Sequence, residues 1–160
     1  LYYFFNDGDN KDDNKKIIGQ TGGIRNCMGV TIEDILKVIQ ESMLAGDGGD
    51  TPENDIEALI KASKRLKTGT ELILVADNLS SVKDLKLLSE LNVPVRIVLC
   101  GIDSGINEDY LAIAYKTKGS VHTIEHDIFE LSKIAEGKTI TIEGCKYRLE
   151  RGRFYLVESI

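Results

Sequence analysis

Two places in this chain put oxygen donors where a hard cation could use them: the segment Gly48-Gly49-Asp50-Thr51-Pro52-Glu53, and Asp77 at the end of the apolar run Leu72 to Ala76. The first is a glycine-rich turn that opens a helix, the second the end of a strand, and open α/β folds gather such groups at one edge of the sheet. Carboxylate and hydroxyl oxygens suit Mg²⁺, Mn²⁺ or Ca²⁺. The expected metal ligands are therefore Asp77 with Asp50 or Thr51, and the pattern does not decide between the last two. The plainer alternative is that Asp50 and Thr51 cap orphan amides of the helix at Pro52, while Asp77 caps the next helix through Ser80-Ser81.

Other patterns fail on spacing. Counting an EF-hand loop from Asp7 puts Asp12 at the glycine position and Ile18 at the glutamate position, so Asp7 to Asp13 reads as a solvated acidic loop. His122 and His126 straddle a predicted strand end and helix start, and neither belongs to an H-E-x-x-H motif. Gly137-Lys138-Thr139 has Ser132 where a phosphate loop needs its first glycine, in a helix-to-strand order. Asn78-Leu79-Ser80 fits a glycosylation sequon, read here as coincidence. Cys27, Cys100 and Cys145 form no C-x-x-C pair and leave the compartment open, with Cys100 expected in the core.

At 160 residues and 42% hydrophobic, the chain has material for one core, and no stretch approaches the roughly 20 apolar residues of a membrane span. A net charge of −6 argues against nucleic acid, whose phosphates call for a basic face. Leu1 to Phe5 reads as a buried strand, with a weak return strand over Ile17 to Ile24. Ile32, Ile35, Leu36, Ile39, Met43 and Leu44 mark a helix capped by Thr31. A second helix starts with Pro52 at its first position. Leu72 to Ala76 and Val95 to Cys100 are unbroken apolar runs, expected as strands covered on both faces. Further helices are predicted around Val82 to Leu91, Ile106 to Thr117 and Ile128 to Ile134, with a strand at Ser120 to Thr123. The expected class is α/β, a three-layer, doubly wound, mostly parallel sheet over residues 1–136. Residues 137–160 alternate at period two and read as a small antiparallel β appendage.

The order of these elements resembles the von Willebrand factor type A family. The likeness is carried by Phe4-Phe5-Asn6-Asp7, by Gly48 to Glu53 with Glu57-Ala58-Leu59, by Glu71 to Asp77, and by Val93-Pro94-Val95 to Gly101 followed by Leu111, Ala114 and Thr117 to Gly119. It covers about residues 1 to 135. It implies a metal-ion-dependent adhesion site in which Asp77 is the third-loop carboxylate and Asp50 or Thr51 the second-loop ligand. The family's first-loop Asp-x-Ser-x-Ser motif is absent, together with the strand that would lie between Leu1 to Phe5 and Leu72 to Ala76. Strands pair at about 4.8 Å, so that omission predicts a gap of about twice this width. A longer parent protein, a second chain or a changed strand order would each close it. The first is favoured, since Leu1 has the look of a cut within a fold, and it implies poor metal affinity for this piece alone.

The expected function is a non-catalytic protein-binding module whose divalent cation is completed by an acidic residue of the partner. The second expectation is a metal-free assembly domain pairing through a sheet edge or its C-terminal hairpin. A third, Mg²⁺-dependent phosphoryl transfer at Asp77, lacks a second aspartate where Leu79 stands and any complete phosphate loop.

Overall fold

Alternating burial along Leu72 to Asp77 sets the architecture: Leu72 and Leu74 are buried, whereas Ile73 and Val75 are 54% and 62% exposed. One face of this strand is packed and the other is open. The computed structural model describes residues 1–5, 15–28, 31–44, 52–79, 81–102 and 105–159. Within these, the chain forms β1 (Tyr2–Phe5), β2 (Ile24–Cys27), α1 (Ile32–Leu44), α2 (Asp55–Ser63), β3 (Leu72–Asp77), β4 (Val95–Cys100), α3 (Glu108–Thr117), β5 (Ser120–His122), β6 (Asp127–Ile128), β7 (Thr139–Ile142), β8 (Cys145–Glu150) and β9 (Arg153–Ser159).

The doubly wound three-layer sheet expected from the sequence is not what forms. There are three small sheets instead: an antiparallel pair β1-β2, a mixed sheet β3-β4-β5-β6 and an antiparallel sheet β7-β8-β9. β3, β4 and β5 are parallel, and β6 returns antiparallel, pairing His122 with Asp127. β1 and β3, between which a gap was expected, do not pair with each other among the described residues, and the sheet is divided there. Two of the predicted helices also shrink. Val82 to Leu91 yields only a 3-10 helix, Leu85–Glu90, and Ile128 to Ile134 becomes β6 and the short 3-10 turn Leu131–Lys133. The return strand lies later than predicted, at Ile24–Cys27 rather than Ile17 to Ile24.

The buried row Leu72, Leu74, Val95, Ile97, Leu99 and Val121 faces α2 and α3, whose Ile56, Leu59, Leu111 and Ile113 fill the core. Burying apolar rows of this kind is the main favourable contribution to folding. α3 is nearly enclosed, because β9 packs against it on the side away from β4 and β5. Tyr147, Leu149 and Phe154 of the last sheet therefore belong to the same core as Ile56. At the end of α3, Lys118 adopts a left-handed conformation and the Gly119 N–H reaches the Ala114 carbonyl at 2.9 Å. A side chain at Gly119 would start 1.9 Å from the Val95 carbonyl oxygen, so only glycine lets β5 come alongside β4.

The opposite sheet face carries Ile73, Arg96 and Ser120 in one register row and Val75, Val98, His122 and Asp127 in the next. α1 packs against β1 and β2, has no fully buried residue, and leaves Ile32, Leu36, Met43 and Leu44 exposed. Leu1 to Phe5, expected buried, is half-buried to exposed. Cys100, expected in the core, is exposed, and none of the three cysteines is in a disulfide.

Candidate functional site

α2 rests against both β1 and β3, which are not paired with each other among the described residues. Above it a slot of about 850 Å³ runs between the two strand edges, lined by Leu1 to Phe5 on one side and Glu71 to Val75 on the other. Ala58, Leu59, Ala62 and Leu66 form its apolar floor. Its end at the start of β3 carries Arg65, Lys67 and Glu71, and Glu71 is paired with Arg96 at 3.3 Å. Beyond Phe5 and Val75 lies a second cavity, of about 380 Å³, lined by Glu53, Asp55, Asp77, Ser81 and Tyr110. Phe5 and Asp77 line this second cavity, whereas Leu1 and Glu71 line only the first.

Asp77 stands at the mouth of that second cavity, exposed, with Oδ1 accepting the Leu79 N–H at 2.9 Å. It therefore forms an Asx turn at the strand end. Asp50 and Thr51 lie outside the described residues. The residues that follow them, Glu53 and Asp55, line the cavity with Asp77, so the strand end and the start of α2 meet at one rim. Asn78, beside Asp77, is committed to the fold: its Nδ2 donates to the Gly105 carbonyl at 2.7 Å, and its Oδ1 accepts the Asn107 N–H at 2.8 Å.

Electrostatics mark Asp55. Asp55 is buried, and burial, reinforced by the nearby Asp84 carboxylate, pushes its pKa up to about 7. Tyr110 donates its hydroxyl to Asp55 Oδ1 at 3.4 Å, and its own pKa is raised, first by burial and then by Asp55 and Asp77. Asp84 is fully buried, and burial raises its pKa against the opposing pull of two amides. Those amides are Ile56 N–H at 3.0 Å and Glu57 N–H at 2.6 Å, the first-turn donors of α2. The helix begins at Asp55, three residues after Pro52, and its side-chain cap comes from 28 positions downstream.

Asp55 and Glu53 show in the sequence only as ordinary first-turn acids. Tyr110 and Asp84 carry no local signal, since their roles depend on contacts 55 and 28 residues away.

Glu53, Asp55 and Asp77 share a cavity without converging on one point. Among the described residues, Glu125, His126 and Glu143 form the one group of three whose ligand atoms lie within 4.8 Å of one another. That group already has internal partners. Thr123 Oγ1 donates to Glu143 at 2.6 Å, His126 Nδ1 lies 3.0 Å away, and the Thr123 hydrogen bond leads in holding the Glu143 carboxyl below its ordinary range. His122 is engaged separately, Nε2 with Ser120 Oγ at 2.7 Å and Nδ1 with Asp127 at 2.6 Å. The order of atoms is that of a nucleophilic triad. Ser120 is 9% exposed, and the chain of hydrogen bonds ties β5 to β6.

No helix among the described residues is long and apolar enough to cross a membrane. In comparisons with known proteins, no family model, no curated protein and no solved structure matches this chain.

Proposed function

We propose that this chain is a non-catalytic protein-binding module that recruits an extended polypeptide segment to the free edge of β3. The observation that carries the reading is that edge: among the described residues β3 is the terminal strand of its sheet, and it lines the slot. Such an edge is a template for another strand, and proteins that do not use one usually cover or charge it. Here the exposed side chains next to it are Ile73 and Val75. Main-chain hydrogen bonds would supply affinity, and the alternating faces of the strand would supply selectivity.

The test is amide hydrogen exchange with an acetylated, amidated Thr-Val-Thr-Ile-Thr peptide. Binding is expected to slow exchange of β3 amides that do not bond to β4. The same peptide N-methylated at alternate amides is expected to bind at least about tenfold more weakly, the loss of two or three hydrogen bonds of ordinary net strength. Equal binding of both peptides would remove strand pairing from consideration.

A second reading adds a divalent cation in the neighbouring cavity, supported by Glu53, Asp55 and Asp77 lining one rim. Asp77, with Asp50 or Thr51, remains the proposed ligand set, and an acidic residue of the partner would complete it. Calorimetric titration with Mg²⁺, Mn²⁺ and Ca²⁺ is expected to give heat that Asp77→Ala removes. No heat and no thermal shift would leave the metal-free reading alone.

A further inference from the structure

We infer that the slot between β1 and β3 is filled by a single extended segment paired to both edges, with an acidic side chain at its Arg65–Lys67 end and a basic side chain at its Asp77 end. This rests on the protein-binding reading above and specifies the partner's chemistry. Among the described residues β1 is paired to β2 alone and β3 to β4 alone, both strands line one groove, and α2 closes it from below. One strand laid over the apolar floor of α2 can bond to both edges at once, whereas a helix or a folded surface satisfies neither row of backbone groups. β3 offers six residues of edge, so the segment is about 20 Å long.

The ends of the groove carry opposite charge. At the start of β3, Glu71 is spent on Arg96, which leaves Arg65 and Lys67 as the net charge. At the other end Asp77 stands beside a cavity whose lining includes no lysine or arginine. Asp77 is exposed. Charges arranged this way fix register, since a strand slipped by one residue turns its whole apolar row to the wrong face.

Two acetylated, amidated peptides test this: Glu-Thr-Val-Thr-Ile-Thr-Lys and its neutral form with glutamine at both ends. The charged peptide is expected to bind about tenfold more tightly at low ionic strength, with the advantage shrinking in high salt. Asp77→Asn should remove part of that advantage. Both peptides are expected to protect amides of β1 as well as β3. Equal affinity of the two would overturn the charge assignment. Protection of β3 with β1 unaffected would overturn the filled slot while leaving edge pairing intact, and failure of either peptide to protect β3 would overturn the protein-binding reading itself.

Discussion

Asp84→Ala is expected to destabilise the fold by about 3 kcal/mol, the cost of leaving two buried helix-end amides without acceptors. Asp84 Oδ1 and Oδ2 each take one first-turn N–H of α2, from Ile56 and Glu57, and neither residue is open to solvent that could replace them. Removing the carboxylate also relieves its repulsion with Asp55, which offsets part of the loss. In a chain of this size the net change should lower the melting temperature by roughly 10 °C. Asp84→Asn is not expected to restore it, because the amide presents one oxygen and one N–H to two donors. Urea unfolding gives the free energy, and exchange at the Ile56 and Glu57 amides localises it. A loss below about 0.5 kcal/mol would mean that the start of α2 is held by something other than this carboxylate. Peptide binding should weaken in parallel, since α2 is the floor of the slot.

The features that were legible in the sequence are those with a local cause. The runs Leu72 to Ala76 and Val95 to Cys100 gave strands, the predicted helix Ile106 to Thr117 formed as Glu108–Thr117, and period-two alternation placed the three C-terminal strands. Failures came where the outcome depends on what lies opposite. An apolar run reads as doubly covered, yet Ile73 and Val75 are exposed, because nothing in a run of five residues says whether both faces will be packed. The spacing of Val82, Leu85, Leu88 and Leu91 fits a helix, but the segment must also turn Asp84 toward the start of α2, and only a 3-10 helix follows. Asp77 was placed at a rim by its position after a strand. Asp55, at the same rim, was invisible as a site residue because its character comes from burial against Tyr110 and Asp84. The gap expected beside Leu1 to Phe5 has a counterpart in the slot, although the sheet around it is divided rather than doubly wound.

Stability should fall as pH rises through the range where most carboxylates are already ionised, and Asp55 is the reason. Its folded-state pKa, about 7, lies above the 3.8 of an unperturbed aspartate. Between those values the native chain keeps a proton that the unfolded chain has released. The stabilising contribution is thus fully present below about pH 4 and lost as pH climbs to about 7, amounting to about 4 kcal/mol. Asp84, raised in the same direction by its burial, adds to the trend. Glu143 acts oppositely, but below its ordinary value of 4.5, outside this window. Unfolding free energy measured from pH 5 to pH 8 is expected to decline in the parent chain. In Asp55→Asn, which cannot ionise but can still accept the Tyr110 hydroxyl, it should be markedly flatter, making the variant the more stable protein at pH 8. An unchanged slope in that variant would show that Asp55 is not the group being titrated. The same pair of proteins bears on the cation reading. A divalent ion in the cavity would favour the ionised carboxylate and restore stability at pH 8 in the parent chain, while Asp55→Asn, with no charge to compensate, should gain less.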